Sequence, residues 1–130
     1  MAAADNARVV RRIFDAFAAR DALSLRDVFA DDAVWTVPGD GVMAGTFSGP
    51  HEILRFLGRL PRETDGTYRS ELIDVLASEG RAAAFYRARG ERSGRTLDIE
   101  QLLLFEISGG LVTRVTALPC DPVAFESFWA

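Results

Sequence analysis

Apolar residues in the first half of the chain recur at helical spacing. Between positions 6 and 19 they return every three or four residues, which predicts an amphipathic helix capped by Asp5 or Asn6. Another helix is predicted to start at Pro50, since proline is favoured in a first turn, and to end at Pro61. Each of these helices therefore has one face to bury. The apolar stripe of the later one consists of Ile53, Leu54, Phe56, Leu57 and Leu60.

A shorter helix and the first strand meet at a pair of carboxylates. Asp21 is the predicted N-cap of this helix, which is expected to end at Asp31 and Asp32. Residues 34–37 are β-branched or aromatic and predict a short strand, which Pro38 stops before a Gly-rich loop. The two aspartates are thus predicted to form a solvated corner between helix and strand, not a catalytic pair.

The second half of the chain reads as strands separated by Gly-containing turns. Strands are predicted over residues 67–77, 82–89, 96–107 and 111–118, and the turns between them indicate antiparallel hairpins. The tail, residues 121–130, is too apolar to remain free of the core. Three helices, one early strand and an antiparallel meander predict an α+β fold in which helices cover one face of a sheet.

Length, charge and composition narrow the function classes. At 130 residues the chain is expected to form a single domain, 1–130. All fifteen basic residues are arginine and the net charge is −4, which argues against a nucleic-acid partner. One cysteine, Cys120, and one histidine, His51, are too few for a zinc site, and neither a metal nor another cofactor is expected. Without a membrane-length apolar run, a cytoplasmic protein without membrane association is expected.

Six short sequence fragments, spread over nearly the whole chain, are distinctive in their order and spacing. They are F-A-D-D-A-V-W from Phe29, A-G-T-F-S-G-P from Ala44, I-L-R-F-L from Ile53, S-E-L-I-D-V-L-A from Ser70, G-R-T-L-D-I from Gly94 and the closing F-E-S-F-W-A. Together they resemble the SnoaL-like group of the nuclear transport factor 2-like superfamily, which includes polyketide cyclases and relatives of ketosteroid isomerase. The resemblance implies a cone-shaped α+β domain, with a curved antiparallel sheet, three N-terminal helices packed on its concave face and a pocket between them.

The resemblance to ketosteroid isomerase can be tested at three positions. That activity needs an aspartate base on the first strand and an oxyanion hole made by a tyrosine and a protonated aspartic acid. Matching this pattern to the chain puts Val37 at the position of the base, Gln101 at that of the acid, and Ile13 or Phe14 at that of the tyrosine. Valine cannot take a proton, so steroid isomerisation by this mechanism is not expected.

Side-chain alternation along the strands predicts which residues face the pocket. If Val37 points inward, Trp35 does too, and Gln101 brings Leu103 and Phe105 with it. A two-residue turn at Arg92-Ser93 would place Ala84, Tyr86 and Ala88 opposite Gln101, Ile99 and Leu97. The small residues in this row leave volume for a cavity, unless the helices fill the space. The predicted ligand-binding residues are Trp35, Val37, Tyr86, Gln101, Leu103 and Phe105.

The outer face of the sheet is predicted to be apolar. The same alternation leaves Phe85, Leu102 and Leu104 uncovered on a monomer. A patch of this kind, together with the frequent dimerisation that the resemblance implies, favours a homodimer through the outer face.

Two groups are weak candidates for acid-base chemistry, and no catalytic residue is assigned. Asp121 follows the last strand near the expected pocket mouth, but a cap of the C-terminal segment, with Pro122 following, is the favoured alternative. His51 lies in the first turn of the Pro50 helix without a visible orienting partner, so a surface or rim position is favoured.

Three hypotheses about function follow. The first is a SnoaL-like domain that binds a small, apolar or aromatic molecule in the pocket. The second is an enzyme of cyclase, isomerase or hydrolase type that uses Asp121 or His51, with Tyr86 and Gln101 as hydrogen-bond donors. The third is a dimerisation or partner-binding module whose outer sheet face is the functional surface.

Overall fold

The computed structural model describes residues 2–130, and its chain forms one six-stranded sheet with four helices. The sheet is curved and mixed, and its strand order is β2-β1-β6-β5-β4-β3. The α+β class predicted from the sequence is confirmed. In chain order the elements are α1 (Ala2–Ala19), α2 (Ala22–Asp27), β1 (Phe29–Val37), β2 (Gly45–Ser48), α3 (Gly49–Glu63), β3 (Arg69–Ala77), β4 (Arg81–Arg92), β5 (Arg95–Ser108), β6 (Leu111–Pro119) and α4 (Pro122–Trp129).

One strand pair departs from the predicted antiparallel sheet. β1 pairs with β6 in parallel, with Trp35 opposite Val115, whereas all other pairs are antiparallel. Hairpin signals reveal only pairings between neighbours in the sequence, so the parallel contact between the first and last strands was not visible. This pairing joins the N-terminal and C-terminal halves of the chain in one sheet, so both halves contribute to the same core.

The prediction that Asp31 and Asp32 form a corner between helix and strand is wrong. β1 begins already at Phe29, and the two aspartates lie inside it, where the register against β6 is irregular between Phe29 and Val34. Both side chains are exposed, so the solvated position predicted for them is correct. Asp21 caps α2 as predicted, since its carboxylate accepts the Ser24 backbone N–H at 3.1 Å.

Two elements were absent from the sequence interpretation. The Gly-rich loop contains strand β2, which pairs with β1, and the tail is the helix α4. α4 docks through Trp129, whose carbonyl oxygen accepts the Val42 backbone N–H at 2.8 Å. Pro61 does not end α3, which continues to Glu63, because a proline in the last turn loses only one helical hydrogen bond.

The β4–β5 hairpin has a different register from the predicted one. Its turn lies at Ser93-Gly94, with Arg92 opposite Arg95, so Tyr86 pairs with Gln101 rather than with Ile99. A shift of two residues keeps each side chain on its predicted face. The prediction that Tyr86 and Gln101 face inward is therefore still correct. In the structure the two residues are direct partners across the strand pair.

The core lies between the inner sheet face and the helices α1, α3 and α4. The inward row of β4, Ala82, Ala84, Tyr86 and Ala88, is buried throughout. Its small side chains accommodate α1, which packs on β3 and β4. Among residues 2–130, no helix is long and apolar enough to span a membrane.

Candidate functional site

Two small cavities lie in the interior between the sheet and the helices, each of about 40 Å³. Trp35, Tyr68, Tyr86, Leu60 and Leu103 line both of them. Of the two alternatives left open for the small residues of β4, the structure favours the filled one, because α1 packs on this strand and Ala84 and Ala88 line neither cavity. The inner cavity is completed by Val37, Met43, Phe56, Gln101, Ala117, Phe125 and Trp129, and the outer one by Ile13, Phe14, Phe17, Leu57 and Ser70.

A buried pair of polar side chains crosses the sheet beside these cavities. The Gln101 Nε2 group donates to the Tyr86 hydroxyl at 2.6 Å, and both residues are buried. Burial raises the pKa of Tyr86 well above its usual value and the neighbouring Tyr68 hydroxyl adds to this, while the hydrogen bond from Gln101 acts in the opposite direction. Burial likewise raises the pKa of Tyr68. Both hydroxyls therefore stay protonated at neutral pH.

Trp35 supplies a hydrogen-bond donor without an acceptor. Its indole Nε1 is the one buried side-chain nitrogen or oxygen in residues 2–130 that lacks a hydrogen-bond partner. The residue is 4% exposed and lines both cavities. An unpartnered buried donor of this kind costs about 1–3 kcal/mol, which an acceptor within hydrogen-bond distance of Nε1 would recover.

A much larger cleft opens to solvent next to the outer cavity. Its volume is about 980 Å³, and it lies between the C-terminal ends of α1 and α3, helix α2 and the start of β3. Apolar side chains form its floor, and three arginines, Arg20, Arg62 and Arg69, stand with Asp65 among its lining residues. The apolar and small lining residues include Phe17, Ala18, Ala22, Leu25, Leu54, Leu57, Gly58 and Pro61.

Four side chains are shared by the cleft and the outer cavity. Phe17, Leu57, Tyr68 and Ser70 line both spaces, so the two spaces adjoin along these residues. Tyr68 also lines the inner cavity, and it is held by Thr64, whose Oγ1 accepts the Tyr68 backbone N–H at 3.1 Å. The cleft and the two cavities thus form a series, with Tyr68 in contact with all three.

The model of the SnoaL-like domain family matches residues 10–115, which is most of the chain. The chain belongs to this family. The uncharacterised protein Rv0034 of Mycobacterium tuberculosis is 41% identical to it over 123 residues, covering 94% of each chain. The structure of Bal32a, from a soil-derived mobile gene cassette, has a TM-score of 0.95 at 34% identity and covers both chains completely.

A more distant solved structure shares the fold alone. It is a protein of unknown function with a cystatin-like fold from Xanthomonas campestris, with a TM-score of 0.87 at 24% identity, covering 96% of this chain and 98% of its own. The resemblance to SnoaL-like proteins seen in the sequence is therefore confirmed, and the relatives named here fix the fold of this SnoaL-like domain without fixing its ligand.

The structure brings five of the six predicted ligand-binding residues of this SnoaL-like domain to the cavities. Trp35, Tyr86 and Leu103 line both, and Val37 and Gln101 line the inner one. Phe105 lines neither, because it lies further along β5, opposite Ala82 and Val115, and is fully buried in the core.

The two acid-base candidates lie outside the interior of the SnoaL-like domain. Asp121 is exposed and caps α4, since its carboxylate accepts the Ala124 backbone N–H at 3.1 Å. His51 is exposed on α3, where its Nε2 lies 3.1 Å from Arg55 Nη2. Neither residue lines the cleft or a cavity, so the convergence with Tyr86 and Gln101 that acid-base catalysis requires is absent for both.

The isomerase positions carry no acid or base in this SnoaL-like domain. Val37 is a buried wall of the inner cavity, and Phe14 packs edge-on against Tyr86 with ring centroids 5.2 Å apart. Residues 2–130 contain no group of three or more His, Cys, Asp or Glu side chains arranged to hold a metal ion. The polar groups of the interior are instead neutral hydrogen-bonding groups.

Sequence reasoning missed Tyr68 and the cleft. Alternation along the predicted strand 67–77 offered a signal for Tyr68, since residues 68, 70 and 72 share one face. In the structure Leu72 pairs with Tyr86 and Ser70 with Ala88, so Tyr68 continues the same inward row. The cleft had no such signal. It forms where α1, α2 and α3 meet, and no pattern within one element reveals a space between three.

Proposed function

We propose that this SnoaL-like domain binds a small, largely apolar or aromatic molecule that carries an uncharged hydrogen-bond acceptor at one end. The observation that supports this most is the buried Trp35 Nε1, which has no partner and belongs to a residue lining both cavities. A carbonyl or ether oxygen that reaches a cavity would accept this N–H and remove the cost of leaving it unpaired.

The volumes favour one position for such a ligand. Each interior cavity, at about 40 Å³, has room for one or two waters or a single polar group, but not for a drug-sized molecule. The cleft, at about 980 Å³, lies in the range of ordinary small-molecule sites. The body of the ligand is therefore proposed to lie in the cleft, and its polar end in the cavities that adjoin the cleft at Tyr68.

The chemistry of the cavity lining favours an uncharged inner end of the ligand. Among the residues described, both cavities are lined by apolar side chains and by neutral groups of Trp35, Tyr68, Tyr86, Gln101 and Ser70, with no charged residue. A charged group would lose its hydration there without a counter-charge, which is costly. The inner end of the ligand is therefore uncharged.

A matched pair of probes tests this proposal. Calorimetric titration with 1-tetralone and with tetralin, which share a bicyclic skeleton but differ in the carbonyl, measures the contribution of the acceptor. Tetralone is expected to bind about tenfold more tightly to the wild type, since one buried hydrogen bond is worth about 1–1.5 kcal/mol. The Trp35→Phe variant should lose this preference and Trp129→Phe should keep it, although both tryptophans line the inner cavity. Equal binding of the two probes, or no binding of either, contradicts the proposal.

We further propose that the outer sheet face forms a homodimer interface. Phe85 pairs with Leu102, which pairs with Leu118, and Leu104 lies two residues along the same face. Leu118 is 42% exposed and Leu76, opposite Ala83 on the same face, is 56% exposed. An apolar patch of this kind on a regular sheet is self-complementary across a two-fold axis.

Charged residues border this patch at one end. Arg87 binds Asp98 at 2.7 Å, and Arg89 lies 3.3 Å from the same carboxylate and 3.6 Å from Glu71. An apolar centre with a polar border is the usual anatomy of a protein interface. The mass expected in solution is therefore twice that of the 14.2 kDa chain.

A further inference from the structure

The rim of the cleft is basic on a chain that is acidic as a whole. The net charge is −4, yet the lining of the cleft contains Arg20, Arg62 and Arg69 against one acid, Asp65. All four side chains are exposed, so the charges stand at the edge of the cleft while Leu57 and Tyr68 are buried in its floor. The cleft thus has an apolar floor and a rim with a net charge of about +2 at neutral pH.

None of the three guanidinium groups is engaged by a carboxylate. In residues 2–130, no Asp or Glu oxygen lies within 4.0 Å of a side-chain nitrogen of Arg20, Arg62 or Arg69. Arg69 is nevertheless held in place, because its Nη1 donates to the carbonyl oxygens of Gly66 at 2.9 Å and Tyr68 at 2.7 Å. Its remaining N–H groups are left for another acceptor.

The helix dipole explains the positions of two of these three arginines. Arg20 follows the last residue of α1 and Arg62 lies in the last turn of α3, where a positive side chain complements the helix dipole. This explanation does not apply to Arg69, which begins β3, and it does not account for three arginines around one apolar cleft. The placement of three arginines around one apolar cleft therefore favours an anionic ligand.

We propose that the ligand of this cleft is an organic acid, whose carboxylate binds the arginines at the rim while its apolar body covers the cleft floor. The guanidinium fork matches a planar carboxylate with two parallel hydrogen bonds, which favours this anion. The inference rests on the binding function proposed above and deepens it. The ligand would carry an uncharged acceptor at its inner end and a carboxylate at its outer end.

The test compares two probes of the same shape and different charge. Calorimetric titration of the wild type with 1-naphthoate is expected to give a Kd about tenfold lower than titration with 1-naphthamide. The variants Arg62→Gln and Arg69→Gln should each weaken naphthoate binding severalfold and leave naphthamide binding unchanged. Raising the salt concentration should weaken naphthoate binding alone, because exposed charges are screened.

Arg55→Gln is the matched control. Arg55 is exposed on the same helix as Arg62 but does not line the cleft, so this variant removes one positive charge without touching the site. Equal affinities of naphthoate and naphthamide would overturn the organic-acid inference and leave the binding function intact. An equal loss of naphthoate affinity in Arg55→Gln would overturn it too, since attraction by overall charge would then suffice. If neither probe binds, the inference falls together with the binding function on which it rests.

Discussion

Tyr86 and Gln101 are direct partners across the β4–β5 pair, and the Gln101 amide donates to the Tyr86 hydroxyl at 2.6 Å. Both side chains are buried, so each satisfies a polar group of the other in a place that water does not reach freely. This pair fixes the position of the Tyr86 hydroxyl at the boundary of both interior cavities.

Breaking this pair on one side should leave a buried polar group without its partner. Gln101→Leu leaves the Tyr86 hydroxyl without its donor, and Tyr86→Phe leaves the Gln101 amide unpaired; each is expected to lower the free energy of unfolding by about 1–3 kcal/mol. The double variant should lose clearly less than the sum of the two, as shown by urea denaturation and a double-mutant cycle. Additive losses would show that the two groups do not stabilise each other.

The two tyrosines should resist alkaline titration while the domain is folded. They are the only tyrosines of the chain, and burial raises the pKa of both. A raised folded-state pKa contributes stability below the unfolded value of about pH 10, and this contribution is lost as the pH rises further. Tyrosinate absorbance should therefore stay low at pH 10 in buffer and rise only on unfolding. In denaturant both groups should titrate near pH 10, and the same behaviour in buffer would refute the buried positions.

Gly41 should be intolerant of a side chain because α4 packs directly upon it. A Cβ at this position would lie 2.7 Å from the Trp129 carbonyl oxygen, which accepts the neighbouring Val42 N–H. Gly41→Ala is expected to lower the free energy of unfolding by about 1–3 kcal/mol and to loosen the docking of α4. Gly80→Ala is the matched control, since no atom lies within 4 Å of its added Cβ. Similar thermal stability of the two variants would contradict the packing described for α4.

A charge in the centre of the outer face should abolish the proposed dimer. Leu104→Arg places a guanidinium among Phe85, Leu102 and their symmetry copies, where it has no partner, so the mass measured by light scattering should fall from two chains to one. Val123→Arg is the control, because Val123 is also apolar and is 80% exposed, but lies on α4. A wild type that remains monomeric at high concentration would refute the proposal.

Side-chain alternation could be read from the sequence because it depends on local geometry alone. Trp35, Val37, Tyr86, Gln101 and Leu103 were placed on the inner face, and all five are buried there. Pairing across strands was less predictable. The β4–β5 turn was misplaced by one residue, which shifted the register by two, because the turn residues Ser93 and Gly94 and their neighbours Arg92 and Arg95 allow more than one tight turn.

Contacts between distant segments could not be predicted in this way. The parallel pairing of β1 with β6 and the docking of Trp129 beside Val42 join parts of the chain about eighty residues or more apart. Whether the interior holds a wide pocket could not be predicted from the sequence for a related reason. The alanines of β4 signal small side chains, but whether that space is empty depends on how closely α1 approaches, which is set by the whole core.

The indole N–H signal of Trp35 in a two-dimensional nitrogen–proton NMR spectrum reports directly on whether a ligand reaches this unpaired donor. The chain has two tryptophans, and the Trp35→Phe variant identifies which indole signal belongs to Trp35. Titration with 1-tetralone should move this signal progressively downfield until it saturates, because the Nε1–H gains the acceptor that it lacks in the free domain. Saturable tetralone binding that leaves the Trp35 signal in place would show that the ligand carbonyl does not accept this N–H, and the proposed binding mode would be wrong.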